Sequence, residues 1–175
     1  MSTRGDDAET QRNEAFAAVF DSNWAAVRHH VEAVVEDDGE VTEIVSEVFL
    51  LAWSRLRPAR PMNRVWLLRA ADRMLRSRAG RPVALRRALE AVHQGMAGGD
   101  ATADLTMRVR VLTALGALSR SERRIIMLTY WDGLDVGESA ELLRRPRSRV
   151  RRTLNRAQER LRAELGLEGR SAADG

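Results

Sequence analysis

Residues 119–165 constrain the fold of this chain more than any other stretch, because they predict three consecutive helices separated by short turns. Ser119 and Glu122 have the spacing of a capping box, which marks the start of the first helix. The three helices are expected over 120–131, 136–143 and 147–165. A short helix, a tight turn and a longer helix rich in arginine are typical of helix-turn-helix DNA-binding domains.

The last of these helices has two opposite faces. Positions along an α-helix advance by about 100° per residue, so its apolar residues form one narrow stripe: Val150, Leu154, Ala157 and Leu161. The opposite side carries Ser148, Arg152 and Asn155 at its centre, flanked by Arg149, Arg151 and Arg156. A helix in a major groove needs central groups that bond base edges and cations toward the phosphate walls. A solvated basic face is the alternative interpretation, and the pattern favours DNA recognition.

Helical periodicity extends along the whole chain, with no convincing strand or hairpin pattern. Further helices are expected over 11–36, 40–56, 63–79, 82–95 and 105–117. The segment 95–104 is small and Gly-rich, which is typical of a linker. We therefore expect an all-α protein with two small helical domains at 11–80 and 105–166, joined by a flexible linker at 81–104.

Charge is distributed unevenly along the chain. Residues 1–51 hold three arginines against twelve acidic residues, whereas residues 52–90 hold eleven arginines against two. Residues 119–165 are again basic, with twelve arginines against seven acidic residues. Two basic blocks behind an acidic N-terminal part indicate two contacts with a polyanion and a different partner for the acidic part.

Composition excludes several classes of protein. The chain has no cysteine, so disulfides and thiolate metal sites are excluded. No apolar run approaches the roughly 20 residues that cross a bilayer, and the N-terminus does not resemble a secretory signal. We expect a cytoplasmic protein without membrane insertion. The sequence has no pair of histidines at metal-binding spacing, no Gly-rich phosphate loop and no nucleophile motif. We therefore expect no catalytic residue, no metal, no cofactor and no enzymatic activity.

The predicted helix 40–56 has one buried and one unusual face. Val41, Ile44, Val45, Val48 and Ala52 form the expected buried stripe. The other side presents Glu43, Ser46, Glu47, Leu50 and Trp53. Large apolar side chains beside carboxylates favour a partner-docking surface. The alternative, that another helix covers Leu50 and Trp53, stays open at this point.

The predicted helix 63–79 is amphipathic and basic. Its apolar arc is Leu67, Leu68, Ala71, Met74 and Leu75, and the opposite side carries Val65, Trp66, Arg69, Arg73 and Arg76. The preceding loop 57–63 contains two prolines and two arginines, so it is stiff and basic. Cations beside an exposed tryptophan suit a separated DNA strand, because charge follows the backbone and the ring stacks on a base. A tryptophan packed in the core is the alternative.

In this order, the segments EIVSEVFLLAW (43–53), WLLRAADRMLRSR (66–78) and the helix-turn-helix from Leu118 to Leu161 resemble an extracytoplasmic-function sigma factor. The resemblance spans roughly residues 13–165. It implies a domain similar to sigma region 2, a linker and a domain similar to sigma region 4. It also implies core RNA polymerase and promoter DNA as partners, and an anti-sigma factor as a possible further partner.

The resemblance assigns a role to each surface. It implies that core RNA polymerase is bound by Glu43, Ser46, Glu47, Leu50 and Trp53. The unwound −10 strand would be bound by the loop 57–63 and α-helical residues, namely Arg60, Asn63, Trp66, Arg69, Arg73 and Arg76. The −35 element would be bound by Arg147, Ser148, Arg149, Arg151, Arg152, Asn155 and Arg156.

The chain departs from the usual pattern of this family in both domains. Glu43 and Ser46 stand where Asp and Gln are usual, and Arg73 stands where Asn is usual. The first change keeps the charge and the second loses an amide. The third change bears on the −10 sequence preference.

Four departures fall in the helix-turn-helix. Gly137 and Ser139 replace a larger and an apolar residue, and Arg144 and Pro146 replace the usual turn glycine and the serine cap. Gly137 weakens its helix by about 1 kcal/mol relative to alanine, and Arg144 is unfavourable at a positive φ. We expect a second helix that is short or loosely held.

Two other functions remain as alternatives. One is a stand-alone helix-turn-helix regulator that binds duplex DNA without polymerase. The other is a protein-interaction adaptor with sigma-like domains that has lost DNA recognition. The acidic docking surface favours the sigma factor, because a simple repressor does not need one.

Overall fold

The computed structural model describes residues 3–60, 62–76, 78 and 105–166. The chain divides into two compact units, Met1–Gly80 and Arg81–Gly175, and each is described by itself. Within the described residues, all regular secondary structure is helical, and an isolated bridge joins Arg57 to Arg60 in a loop. The all-α class predicted from the periodicity is confirmed.

The first unit contains three helices: α1 (Thr3–Glu32), α2 (Asp38–Arg55) and α3 (Arg64–Leu75). Two of them begin at side-chain caps. The Asp37 carboxylate accepts a hydrogen bond from the Glu40 amide, and the Asn63 side chain accepts one from the Trp66 amide. Each cap satisfies a backbone N–H that would otherwise lack a partner at a helix start.

The three helices of the first unit pack against one another in every pairing. The stripe predicted for α2 is buried, and Phe49 joins it. On α3, Leu67, Leu68, Ala71 and Leu75 are buried as predicted, and Met74 is half-buried. The prediction that Val65 lies on the exposed side is wrong, because α3 packs on both α1 and α2 and therefore buries a wider arc.

A buried polar pair joins α1 to α3. His30 Nε2 lies 2.8 Å from Asp72 Oδ1, and both side chains are largely removed from solvent. Buried polar groups are costly unless they are paired, so this contact fixes the rotation of α3 against α1. The basic side of α3 is thereby held in one orientation.

The second unit begins with α4 (Leu105–Ala117) and α5 (Arg120–Ile126), which continues as a π-helical segment (Met127–Trp131). It ends with α6 (Val136–Leu143) and α7 (Arg147–Leu165). The predicted capping box of Ser119 and Glu122 is present at the start of α5. Gly166 ends α7 with a φ of 66°, a conformation that suits glycine.

The core of the second unit lies beneath α7. One cluster joins α4, α5 and α7 through Val111, Ala114, Leu115, Leu118, Ile126, Ala157, Leu161 and Leu165. A second cluster, of Ile125, Ala140 and Val150, joins α5 and α6 to the start of α7. The apolar stripe predicted for the last helix therefore faces inward, with Leu154 half-buried against both clusters.

Several predicted boundaries need correction. The first helix runs over Thr3–Glu32 rather than 11–36, and the helix expected over 120–131 is α-helical only to Ile126. The helices at 105–117, 136–143 and 147–165 match the prediction. The helix predicted at 82–95 and the linker predicted at 81–104 lie outside the described residues. Within the described ranges, no helix combines the length and apolarity needed to cross a membrane.

Candidate nucleic-acid and partner interfaces

The outer side of α2 presents the five residues predicted to dock a partner, here called the docking face: Glu43, Ser46, Glu47, Leu50 and Trp53. Leu50 is 67% exposed, the largest exposed fraction of any large apolar side chain among the described residues. Glu43 and Ser46 are exposed, whereas Glu47 and Trp53 are half-buried. Among the described helices, none covers Leu50.

The two carboxylates of the docking face share one cation. Arg78 Nη2 lies 3.5 Å from Glu43 Oε1 and 3.3 Å from Glu47 Oε1. All three side chains keep contact with solvent, so the ion pairs contribute little to stability, about 0–1 kcal/mol. The two ion pairs instead position the carboxylates of Glu43 and Glu47, because both must point toward the same guanidinium. Arg78 was not among the predicted residues of this face, because its contact with Glu47 spans more than thirty residues of chain.

Trp53 is partly covered by α1. Its ring meets Phe16 edge-on, with the ring centroids 5.1 Å apart. The Arg12 guanidinium lies 4.4 Å from the Trp53 ring centroid, and Arg12 Nη2 donates to the Trp53 carbonyl oxygen at 2.7 Å. The alternative that another helix covers both side chains is therefore correct for part of Trp53 and wrong for Leu50, which is exposed.

The basic surface of the first unit, here called the strand face, is formed by Arg60, Asn63, Trp66, Arg69, Arg73 and Arg76. The loop before α3 is tightly turned, with the Arg60 amide donating to the Arg57 carbonyl at 2.8 Å. Arg73 and Arg76 are exposed, while Trp66 and Arg69 are half-buried rather than fully exposed as predicted. The Asn63 side chain accepts from the Trp66 amide at 2.9 Å, so it has a structural role as the cap of α3.

A cavity of about 290 Å³ lies between α1 and the loop that precedes α3. Its lining includes Val19, Asn23, Leu56, Arg57 and Pro58, so the walls are mainly apolar with one amide and one cation. Asn23 is buried and donates to the Val19 carbonyl at 2.8 Å. The contact between α1 and this loop was not predicted, because the two segments are far apart in the sequence and no short motif indicates that they meet.

The exposed side of α7, here called the recognition face, carries all seven residues predicted to bind duplex DNA: Arg147, Ser148, Arg149, Arg151, Arg152, Asn155 and Arg156. None of them is buried. Arg152 Nε donates to the Ser148 carbonyl at 3.4 Å, a contact within the same helix. The face thus holds five guanidinium groups and two short polar side chains on a helix whose other side is fixed in the core.

Two ends of the helix-turn-helix are anchored by polar contacts. Asp135 and Glu138 form a reciprocal capping box at the start of α6. This capping box was not predicted, although its spacing is the same as that of Ser119 and Glu122. At the other side, the buried Glu122 carboxylate lies 3.2 Å from Arg160 Nη1 and ties α7 to α5. The short α6 is therefore well capped.

The turn between α6 and α7 carries the predicted strain. Arg144 has a φ of 52°, which a side chain with a Cβ disfavours. Arg145 Nη1 donates to Ser121 Oγ at 2.7 Å and fixes the turn to α5. The Ser139 hydroxyl is buried without a hydrogen-bond partner in this part of the chain, so the apolar residue expected there would suit the site better.

Comparison with known proteins places these features in context. A family described as "Sigma-70, region 4" matches residues 108–161. The ECF RNA polymerase sigma factor SigK of Mycobacterium sp. (strain KMS) is 30% identical over 146 residues, which cover 74% of this chain and 72% of that protein. SigK of Mycobacterium tuberculosis (strain ATCC 25618 / H37Rv) is 30% identical over 160 residues, covering 85% of this chain and 84% of that protein.

Two solved structures share the fold. One is CnrH in complex with the cytosolic domain of CnrY, with a TM-score of 0.57 and 22% identity, covering 93% of this chain and 99% of that chain. The other is the sigma factor RpoE in complex with the anti-sigma factor NepR from Bartonella quintana. Its TM-score is 0.53 at 17% identity, and it covers 86% of this chain and 96% of that chain.

Proposed function

Because this chain belongs to the ECF sigma factors of bacterial RNA polymerase, we propose that its three surfaces divide the work of promoter-dependent initiation. The docking face binds core RNA polymerase, the strand face holds the unwound −10 strand, and the recognition face binds the −35 element. The protein acts in the cytoplasm with the polymerase. It performs no catalysis of its own, since nucleotide addition belongs to the polymerase.

The docking face is proposed to contact the clamp of the polymerase. Leu50 supplies exposed apolar area at the centre of the face, and Glu43 and Glu47 supply adjacent negative charge. An apolar anchor beside charges of one sign suits a specific interface, because burial gives affinity and charge gives orientation. Arg78 holds both carboxylates together before the partner arrives.

The strand face is proposed to capture the separated −10 strand. Exposed Arg73 and Arg76 follow the phosphate backbone, and the uncovered part of Trp66 offers a stacking surface. The neighbouring cavity beside Arg57 adds an apolar recess with the Asn23 amide in its wall, which is suitable for an unstacked base. Arg73 gives this face a different −10 preference from relatives with asparagine there.

The recognition face carries the proposal most directly. A helix whose apolar stripe is fixed in a core, and whose opposite side is exposed and cationic, is arranged for the major groove. Ser148, Arg152 and Asn155 occupy the centre, where side chains reach base edges, and the other arginines lie toward the phosphates. An anti-sigma factor is a proposed regulator, since the similar structure of RpoE is a complex with the anti-sigma factor NepR.

The decisive experiment reconstitutes transcription from purified parts. The chain is mixed with core RNA polymerase and a library of promoter fragments, and run-off transcripts are sequenced. A sigma factor produces transcripts from promoters that share two elements, and omission of the chain abolishes them. The comparisons do not favour the two alternatives, and this experiment separates them. A stand-alone regulator would bind duplex DNA and start nothing, and an adaptor would do neither.

A further inference from the structure

Gly137, the second residue of α6, lies against the first residue of α7. A Cβ atom added to Gly137 would stand 3.0 Å from Arg147 Nη2 and 3.2 Å from Arg147 Cζ. It would also stand 3.1 Å from Asp135 Oδ1. The Arg147 guanidinium therefore occupies the space that a side chain at position 137 would need.

The backbone gives no reason for a glycine at this position. Gly137 lies within a regular helix and has none of the positive φ seen at Gly133 and Gly166. Glycine inside a helix lowers its stability by roughly 1 kcal/mol relative to alanine. Since the backbone does not require glycine here and glycine lowers helix stability, we look to the neighbouring Arg147 side chain for the reason.

The surroundings of Arg147 indicate what the guanidinium does there. Asp135 and Glu138 place two capping carboxylates in the first turn of α6. In a helix-turn-helix the first helix crosses the DNA backbone, so a phosphate that approached the start of α6 would be repelled by these carboxylates. A guanidinium over the same turn offsets that repulsion and supplies a donor to a phosphate oxygen.

We infer that Gly137 is a positioning residue that directs Arg147 to the DNA backbone beside α6 and away from the base edges. This inference rests on the proposed function and divides the recognition face. Arg147 contributes affinity that is independent of sequence, whereas Arg152 and Asn155 at its centre carry the preference for bases. A side chain at position 137 displaces the guanidinium and removes that contribution although Arg147 is still present.

The test is a double-mutant cycle in the holoenzyme. Gly137→Leu, Arg147→Ala and the double variant are assembled with core polymerase, and binding to promoter fragments is measured between low and moderate salt. Arg147→Ala is expected to weaken binding about tenfold, by the same factor on all −35 variants, and to make the slope of log K against log salt less negative by about one. Gly137→Leu is expected to reproduce most of both effects, and the double variant to be no worse than Arg147→Ala.

Two controls keep the outcome clear. Gly137→Ala adds only the Cβ that crowds the Arg147 guanidinium, so it is expected to weaken promoter binding about twofold, in the same direction as Gly137→Leu but by less. Arg162→Ala, in the last turn of α7, is the matched loss of an exposed arginine and should leave the salt slope unchanged.

The inference fails if Gly137→Leu leaves binding and salt slope unchanged, if the two substitutions act independently, or if Arg147→Ala changes the −35 preference. Run-off transcription by the wild-type chain is measured in the same preparations. If the wild-type chain supports transcription but the Gly137 and Arg147 substitutions act independently, only the inference is overturned. If the wild-type chain gives no transcripts, the proposed function is overturned and the inference with it.

Discussion

The two units expose their proposed binding surfaces in different ways. In the first unit, side chains proposed to bind partners also hold the unit together: Trp53 packs on Phe16, and Asn63 caps α3. In the second unit, the recognition face lies wholly outside the core, and most of its side chains serve no packing role. A substitution in the first unit therefore changes stability and binding together, whereas the recognition face can vary with little effect on folding.

The largest expected effect lies on the docking face. The double substitution Glu47→Arg with Leu50→Asp reverses a charge and buries a new one at the proposed interface. We expect core polymerase to be bound about a hundredfold more weakly or worse. Co-purification and fluorescence anisotropy with labelled chain measure this, and circular dichroism checks that the helices remain.

Glu14→Arg is the control for charge reversal, since Glu14 is exposed on α1 outside the docking face. It should bind polymerase like the wild type. If the double variant binds polymerase as tightly as the wild type, Glu47 and Leu50 are not part of the interface. The proposed difference between the two units would then be wrong.

The next effect concerns the centre of the recognition face. Arg152→Ala or Asn155→Ala should relax the preference for particular −35 bases, at a cost of about 1–3 kcal/mol on the best promoter, because a base-edge contact is lost. Selection from a randomised −35 library by the holoenzyme measures the preference. The unfolding temperature should not change, because both side chains lie outside the core. An equal loss on every sequence would instead indicate phosphate contacts.

A smaller, stabilising effect is expected inside the second unit. Ser139 is 1% exposed, and its hydroxyl has no partner among the described residues. Ser139→Ala should raise the free energy of unfolding by about 1 kcal/mol, because the desolvation penalty of the hydroxyl disappears. Urea denaturation of the wild type and the variant gives the difference. A loss of stability would indicate a hydrogen bond to the hydroxyl.

The smallest effect is expected at the turn. Arg144→Gly relieves a φ of 52° and should stabilise the chain by about 0.5–1 kcal/mol, after the greater entropy of the unfolded glycine chain is subtracted. The −35 preference should stay as in the wild type. If promoter selection shifts instead, the Arg144 side chain takes part in DNA recognition. Residues that shape the fold and residues that bind DNA would then overlap in this unit.

The sequence predicted best those features that depend on a single helix. The stripe of Val150, Ala157 and Leu161 follows from helical periodicity, and it is buried. The left-handed turn at Arg144 and the capping box at Ser119 depend on a few neighbouring residues and are also present. The seven residues of the recognition face are all exposed, and their contacts with DNA stay predictions.

Features that depend on two distant helices could not be predicted. Periodicity gives the direction in which Trp53 points, but not that Arg12, more than forty residues away in sequence, covers its ring. Val65 is buried because α3 has neighbours on two sides, whereas the pattern of a single amphipathic helix predicts one buried side. The contact between Arg147 and Gly137 depends on the path of the turn between their helices.

The π-helical segment at Met127–Trp131 has a consequence for changes in chain length. Its wider turn is seen in the bond from the Asp132 amide to the Met127 carbonyl, at 3.1 Å, which spans five residues instead of four. Elsewhere in a helix, removal of one residue rotates all that follows by about 100°. Here the deletion of one residue rewinds the segment into an α-helix and leaves both neighbours near their present places. A one-residue deletion here is therefore expected to disturb α7 less than a deletion within α5.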